Sequence, residues 1–249
     1  MTTTINYRYD FLLPGGQERS FDLLLERPGL DLLPTATAEP LPPWTRLDCC
    51  QCDNCPLRVE QHPSCPIAAN IPEFVEFFAD AASYEKIDVR ISTDERSYVK
   101  HTYTAEAISS LLGIYMVTSG CPIMDKLRPM VRFHLPLATS EETTFRALAM
   151  YLMAQYFVSR SGGTPDWDLR DLPQIYEQVQ IVNRSFVERL RQSAIHDANL
   201  NAVVRLDALA AIILISLDTG ALDEIEELFA RYLPATTAGE GAEATEATD

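Results

Sequence analysis

Five of the six cysteines in this 249-residue chain fall within a stretch of seventeen residues. The six are Cys49, Cys50, Cys52, Cys55, Cys65 and, much later in the chain, Cys121. Two CxxC spacings overlap, because two residues separate Cys52 from Cys49 and two separate it from Cys55. Sulfurs at this spacing lie on one tight turn and can bind the same ion, as in structural zinc and iron–sulfur sites. The cluster therefore predicts a metal site.

Three of the cysteines directly precede a proline, namely Cys55, Cys65 and Cys121. Proline favours the first position of a helix, so each of these thiols is predicted at a helix N-terminus. The positive end of a helix lowers the pKa of a thiol and favours the thiolate, which is the form that binds metal. We therefore predict a four-sulfur ligand set, with Cys49 or His62 as an additional or substitute ligand. The set is Cys52, Cys55, Cys65 and Cys121.

Zinc is the predicted cofactor, because four-cysteine zinc sites are closed, tetrahedral and usually structural. An iron–sulfur cluster is the alternative, since the three cysteines of the two overlapping pairs, Cys49, Cys52 and Cys55, copy the first three positions of the bacterial ferredoxin pattern. That pattern then fails, because nine residues instead of three separate Cys55 from Cys65. Haem ligation by a Cys-Pro thiolate and six free thiols are weaker interpretations.

An enzymatic role is left open. Cys121 at a helix start could serve as a nucleophile, with His101 or His134 as its base. A histidine bonded to the backbone in the core is the more ordinary interpretation of His134. Asp207 could be buried and paired with Arg189 or Arg205. The sequence contains no HExxH, GxSxG, GxGxxG or P-loop pattern. We therefore predict a non-enzymatic binding or regulatory protein, with a redox protein as the alternative.

Charge bears on the choice of partner. The formal net charge is −16, and residues 235–249 contain four carboxylates but no Lys or Arg. Such a chain repels phosphate backbones, so we predict that nucleic acid and anionic membranes are not partners. The predicted partner is a protein with a basic surface. The N-terminus shows no secretory signal, and the most apolar run, residues 208–215, is far shorter than a bilayer span. The predicted location is the cytoplasm, where thiols stay reduced.

Alternating hydrophobicity predicts two β-hairpins, at residues 5–26 and 87–103, which could together form a four-stranded antiparallel sheet. Residues 28–43 are predicted to form an extended connector, and helices are predicted at residues 71–78 and 104–118. From residue 121 onward the chain is predicted to be helical, with a capping box of Thr139 and Glu142 at the start of one helix. The apolar stripe of that helix consists of Phe145, Leu148, Leu152 and Tyr156.

Further along, residues 201–217 are apolar nearly all round and are placed at the centre of the helical bundle. A last helix carries Leu222, Ile225, Leu228, Phe229 and Tyr232. The predicted fold class is α+β: a small antiparallel sheet with a Cys-rich segment, packed on a C-terminal helical bundle. Residues 1–120 and 121–234 form the two parts, which together could be one compact domain. Residues 235–249 are predicted to be a disordered acidic tail.

Four segments resemble a bacterial protein family of unknown function. They are Asn54-Cys55-Pro56-Leu57, Ser64-Cys65-Pro66-Ile67-Ala68, Ser119-Gly120-Cys121-Pro122 and Phe133-His134-Leu135-Pro136. The resemblance covers roughly residues 5–232 and leaves the acidic tail outside. It implies no activity, ligand or functional residue.

Overall fold

The protein, described here by a computed structural model, combines an antiparallel sheet with a set of helices, which confirms the predicted α+β class. The structure describes residues 3–34, 40–192, 197–218 and 222–233. The predicted tail, residues 235–249, lies outside the described residues, and the division into two parts stays a prediction. The strands are β1 (Thr4–Leu12), β2 (Glu18–Glu26), β3 (Asp31–Leu32), β4 (Lys86–Ser92) and β5 (Ser97–Tyr103).

The sheet joins the two predicted hairpins through their first strands. Its strand order is β3-β2-β1-β4-β5, and β1 pairs antiparallel with β4, from Arg8 opposite Ser92 to Leu12 opposite Asp88. The short edge strand β3 was not predicted, because it lies in the segment that was expected to be a connector. Residues 35–39 of that segment lie outside the described residues.

One face of the sheet forms the base of the hydrophobic core, since alternate side chains of β1, β2 and β4 are buried. Aromatic rings fill the space between this face and the short helix at Pro72–Phe77. The rings of Phe11 and Phe78 are 5.0 Å apart, and those of Phe21 and Phe74 are 5.2 Å apart, both edge-to-face. Burial of such rings is the largest favourable term for this part of the fold.

The helices follow the predicted order along the chain. They are α1 (Pro66–Ala69), α2 (Pro72–Phe77), α3 (Thr104–Thr118), α4 (Arg128–Arg132), α5 (Ser140–Arg160), α6 (Leu172–Gln192), α7 (Asp197–Asp218) and α8 (Asp223–Glu227), with 3₁₀ turns at Pro43–Thr45 and Met124–Leu127. The capping box is confirmed, because Thr139 and Glu142 each bond the other's backbone N–H at the start of α5. The helix α3 is buried over most of its length and connects the sheet to the later helices.

Two of the predicted apolar stripes are largely exposed in the structure. Of the stripe on α5, only Leu148 is buried, whereas Phe145, Leu152 and Tyr156 are exposed. The last helix, α8, is only five residues long, and Leu228, Phe229 and Tyr232 of its expected stripe are exposed. A helical period identifies an apolar face, but it does not say whether a neighbouring element covers that face.

Helix α7, which was placed at the centre of the bundle, is less buried than that position predicts. It packs against α3, α5 and α6, yet only 22% of its most apolar window is buried. By length and composition α7 could also cross a membrane, a test that core helices of soluble proteins pass as well.

His134 bonds a side chain rather than the backbone that we predicted. Its Nε2 lies 2.8 Å from the hydroxyl of Tyr9, and that hydroxyl also lies 2.9 Å from the Ser110 hydroxyl. Burial lowers the pKa of His134 to about 3, so the ring is neutral at physiological pH. A neutral His134 links the sheet to the segment that follows α4.

We expect His134 to make the protein less stable as the pH falls below neutral. The imidazole has a pKa near 6.5 in an unfolded chain, whereas its pKa is about 3 in the folded protein. Between these values the unfolded chain binds a proton that the folded chain does not, so the free energy of unfolding decreases from about pH 6.5 toward pH 3. Urea unfolding at pH 7 and pH 5 measures this change, and the free energy of unfolding should decrease less for His134→Gln than for the wild type. The exposed His62 provides the control His62→Gln, which should keep the full decrease; equal pH dependence of all three proteins would contradict the assignment.

Candidate metal centre

The cysteine segment is a loop closed at its base by a short two-stranded pairing. The N–H of Cys65 donates to the carbonyl of Thr45 at 2.8 Å, and that of Leu47 donates to the carbonyl of Pro63 at 2.9 Å. Arg46 and Ser64 form an isolated antiparallel bridge between these two bonds. The loop between the paired residues therefore starts and ends at fixed points.

A tight turn within the loop holds the first predicted ligand pair. The N–H of Cys55 donates to the carbonyl of Cys52 at 2.9 Å, which closes the CxxC turn. Between them, the side chain of Asn54 donates to the backbone carbonyl of Gln178 at 3.0 Å and to its side-chain oxygen at 2.9 Å. The turn is thus attached to α6.

The buried side chain of Arg189 on α6 organises the start of the loop. Its guanidinium donates to the carbonyls of Trp44 at 2.7 Å and Arg46 at 2.5 Å, and makes longer bonds to those of Leu47 at 3.4 Å and Cys50 at 3.3 Å. Arg189 is only 2% exposed and makes no ion pair with the described residues. The expected pairing with Asp207 is wrong, since Asp207 lies 3.6 Å from Arg184 instead.

The other two predicted ligands arrive from separate elements. Cys65 is the N-cap residue of α1, as its following proline predicts. Cys121 follows the end of α3, where Gly120 adopts a left-handed conformation (φ +89°) that turns the chain and that a side chain would strain. The N–H groups of Ile123 and Met124 point at the Cys121 sulfur. The predicted helix N-terminus is wrong for Cys55 and Cys121, because no helix begins at Pro56 and the 3₁₀ turn after Cys121 begins only at Met124.

All four predicted sulfur ligands line one small cavity. Cys52, Cys55, Cys65 and Cys121 surround a space of about 20 Å³, with Arg189 also in the wall. The sulfurs are close enough to influence each other's charge, since Cys52 interacts electrostatically with the other three. As placed, the thiols are not yet a coordination sphere: nowhere in the described part of the chain do three or more His, Cys, Asp or Glu form a group that could hold an ion. Binding would require the thiols to rotate until each sulfur lies about 2.3 Å from the metal.

The substitute ligands lie outside this cavity. Cys49 is close to the end of α6, with its sulfur 3.5 Å from the side-chain oxygen of Gln192. Cys50, with a left-handed backbone (φ +50°), separates it from Cys52. His62 is exposed and does not line the cavity. Of the two overlapping CxxC pairs, only Cys52 with Cys55 lines the cavity.

In the absence of an ion, burial opposes ionisation of the thiols. It raises the pKa of Cys52 to about 11, although the Ser185 hydroxyl donates a hydrogen bond that acts in the opposite direction. The pKa of Cys121 is also raised by burial, which outweighs the two N–H groups at its sulfur. The expectation that helix ends lower these pKa values is therefore wrong for Cys121. A bound dication would reverse the balance, because a coordinating thiol is deprotonated outright.

These pKa shifts predict slow alkylation in metal-free protein. At pH 7.5 we expect iodoacetamide to modify Cys52 and Cys121 more slowly than Cys49, which is outside the cavity, because the thiolate is the reactive form. Site-resolved mass spectrometry over time gives the three rates. Cys121 as the fastest of the three would instead favour a nucleophilic role.

The two histidines considered as a base for Cys121, His101 and His134, each bond a residue outside the cysteine cavity. His101 on β5 lies 2.9 Å from Asp88 across the hairpin and is exposed, so it is not near Cys121 as a base would be. His134 bonds Tyr9. The residue that sequence reasoning missed is Arg189, because an arginine in a helical stripe gives no sign that loop carbonyls surround it.

Comparison with known proteins adds a family but no activity. The family model described as "Domain of unknown function (DUF6901)" matches residues 5–230 of the chain. No curated protein and no solved structure matches it. The bacterial origin in the resemblance stays a prediction.

Proposed function

The chain belongs to this family of unknown function, and from the arrangement of its cysteines we propose that it is a zinc protein whose metal stabilises the fold. Cys52, Cys55, Cys65 and Cys121 supply four thiolates. The ion ties the loop after the 3₁₀ turn at Pro43–Thr45 to the end of α3, and so restrains points far apart in the sequence. Metal binding then contributes directly to the free energy of folding.

The observation that carries this proposal is the convergence of four separately positioned sulfurs on one small cavity. The cavity has room for about one water-sized occupant, since such an occupant needs about 10–15 Å³. That size suits a single ion better than a cluster of several iron and sulfide atoms, so zinc is favoured over an iron–sulfur centre.

The charge environment also supports thiolates. Four thiolates around Zn²⁺ leave a net negative charge, and the Arg189 guanidinium in the cavity wall offsets part of it. The N–H groups at the Cys121 sulfur act in the same direction. Groups of this kind around the ligands commonly stabilise metal–thiolate sites.

In the wider role that we propose, the protein is a non-enzymatic binding or regulatory module of the cytoplasm. Its formal charge of −16 suits a protein partner with a basic surface and disfavours nucleic acid and anionic membranes. The alternative is an iron–sulfur or thiol redox protein, for which the cysteine spacing is the supporting feature.

Metal analysis of the full chain, purified without oxygen and without added metal, tests the proposal. We expect about one zinc per chain and no absorption above 300 nm. Iron and sulfide in the protein, together with a visible absorption band, would contradict the zinc proposal and support the iron–sulfur alternative. Protein that carries no metal, and that gains no stability when zinc is added, would overturn both.

A further inference from the structure

A second and larger cavity lies between the helices, away from the cysteines. It has a volume of about 170 Å³, and its walls come from α3, α5, α6, α7 and the segment from Met124 to Ala138. Most of the lining is apolar, with Ile114, Val179 and Leu206 as examples. The cavity is partly open to solvent, so a small molecule can reach it from outside.

Asn183 on α6 lines this cavity, and its side chain has no hydrogen-bond partner among the described residues. It is 1% exposed, and neither its side-chain oxygen nor its side-chain nitrogen bonds any of the described residues. An unpaired buried amide costs about 1–3 kcal/mol for each group. In native proteins such groups nearly always have a partner. A molecule in the cavity could supply one.

Arg146 on α5 is the second polar group that calls for a partner. It is half-buried, lines the same cavity, and donates one hydrogen bond to the carbonyl of Met130 at 2.7 Å. It forms no ion pair within the part of the chain that the structure describes. A cation in such a place is best matched by a planar carboxylate.

The two groups lie at different levels of the cavity. Arg146 and the hydroxyl of Tyr176 both bond Met130, and Tyr176, which also lines the cavity, precedes Asn183 by seven residues on α6. Seven residues of helix span about 10 Å. The occupant must therefore carry its two polar groups on opposite ends of an apolar body.

We propose that this cavity binds a small carboxylic acid with an apolar middle and a neutral hydrogen-bonding group, such as a hydroxyl, at the far end. Arg146 pairs with the carboxylate, and the Asn183 amide bonds the neutral group. An apolar cavity of about 150 Å³ holds one benzene ring, so a space of about 170 Å³ suits one ring or a short chain. The ligand is held by a site separate from the proposed zinc centre.

Three probes separate the contributions of the two polar groups. They are 4-hydroxyphenylacetate, phenylacetate (which lacks the hydroxyl) and 4-methylphenol (which lacks the acid). Titration calorimetry on the full-length protein should show the tightest binding for 4-hydroxyphenylacetate. Loss of either group should weaken binding about tenfold, the effect expected for one hydrogen bond to a charged or buried partner. No binding of any probe at millimolar concentration would overturn the proposal.

Two variants assign each end of the ligand. Arg146→Met should remove the preference for 4-hydroxyphenylacetate over 4-methylphenol, and Asn183→Leu should remove the preference for it over phenylacetate. Arg160→Met on α5 and Gln174→Leu on α6 are matched controls at exposed positions and should leave both preferences intact. If Asn183→Leu fails to fold, as judged by circular dichroism, Asn183→Ala removes the same amide without adding volume. Preferences unchanged in both cavity variants would place the probes elsewhere and overturn the proposal.

Discussion

Replacement of Arg189 by methionine should lower the free energy of unfolding by about 3–5 kcal/mol. Methionine fills a similar volume but leaves the carbonyl of Trp44 without its guanidinium donor, and leaves that of Arg46 with only the 3.3 Å bond from the Cys49 N–H. It also removes the longer bonds to the carbonyls of Leu47 and Cys50. Each buried acceptor left unpaired costs about 1–3 kcal/mol, and each hydrogen bond to a charged group contributes about 1.5–3 kcal/mol. Urea unfolding of the wild type and the variant measures the difference.

Arg191 provides the matched control on the same helix. It is exposed and, within the described part of the chain, pairs only with Glu188, so Arg191→Met should change stability by less than about 1 kcal/mol. Arg189→Lys should fall between the wild type and Arg189→Met, because a lysine has three donors but lacks the planar fork. Equal stability of the wild type and Arg189→Met would show that the loop does not depend on the guanidinium.

Substitution of single cysteines should divide the six into two groups. We expect Cys52→Ser, Cys55→Ser, Cys65→Ser and Cys121→Ser each to weaken zinc binding more than 100-fold. A lost ligand should cost more than the about 10–100-fold that loss of a supporting residue costs. The structural reason is that these four sulfurs share one cavity. Competition with a chelator of known zinc affinity measures the change.

Cys49→Ser and Cys50→Ser are the internal controls, because neither residue lines the cavity. Both variants should bind zinc as the wild type does and melt at the same temperature. Metal loss in Cys49→Ser, together with full zinc in Cys55→Ser, would mean that the other CxxC pair binds the ion and that the loop rearranges to present it.

Local signals in the sequence were sufficient for much of the fold. The hairpins follow from alternation, which strands β1, β2 and β4 satisfy with one buried face. The start of α5 follows from the Thr139 and Glu142 capping box, whose bonds involve residues three apart. Such features depend on neighbours in the chain, so a single sequence contains the information that they require.

Features that depend on contacts between distant parts of the chain could not be predicted as well from the sequence. The exposed face of α5 and the partial burial of α7 are set by which helices meet, and no local period records that. The same limit explains Arg189, whose four acceptors lie about 140 residues earlier in the chain. The pairing of β1 with β4 was stated only as a condition for a single sheet, and the structure satisfies it.

The predicted ligand set shows both sides of this limit. The choice of Cys52, Cys55, Cys65 and Cys121 rested on spacing and on prolines, and the structure brings these four to one cavity. Spacing alone could not separate Cys49 from Cys55, because both lie three positions from Cys52. The left-handed residue Cys50 and the attachment of Asn54 to α6 decide between them, and neither is visible in the sequence.

The position of Arg189 in the chain also sets an order of events during synthesis. The ribosome releases all six thiols well before the guanidinium that gathers the loop carbonyls. At about 5–20 residues per second, the delay between Cys121 and Arg189 lasts about 3–14 s. During that time the nascent chain has sulfurs but no formed loop to hold them, so under the proposed function metal loading comes late and the emerging cysteines depend on a reducing cell for protection.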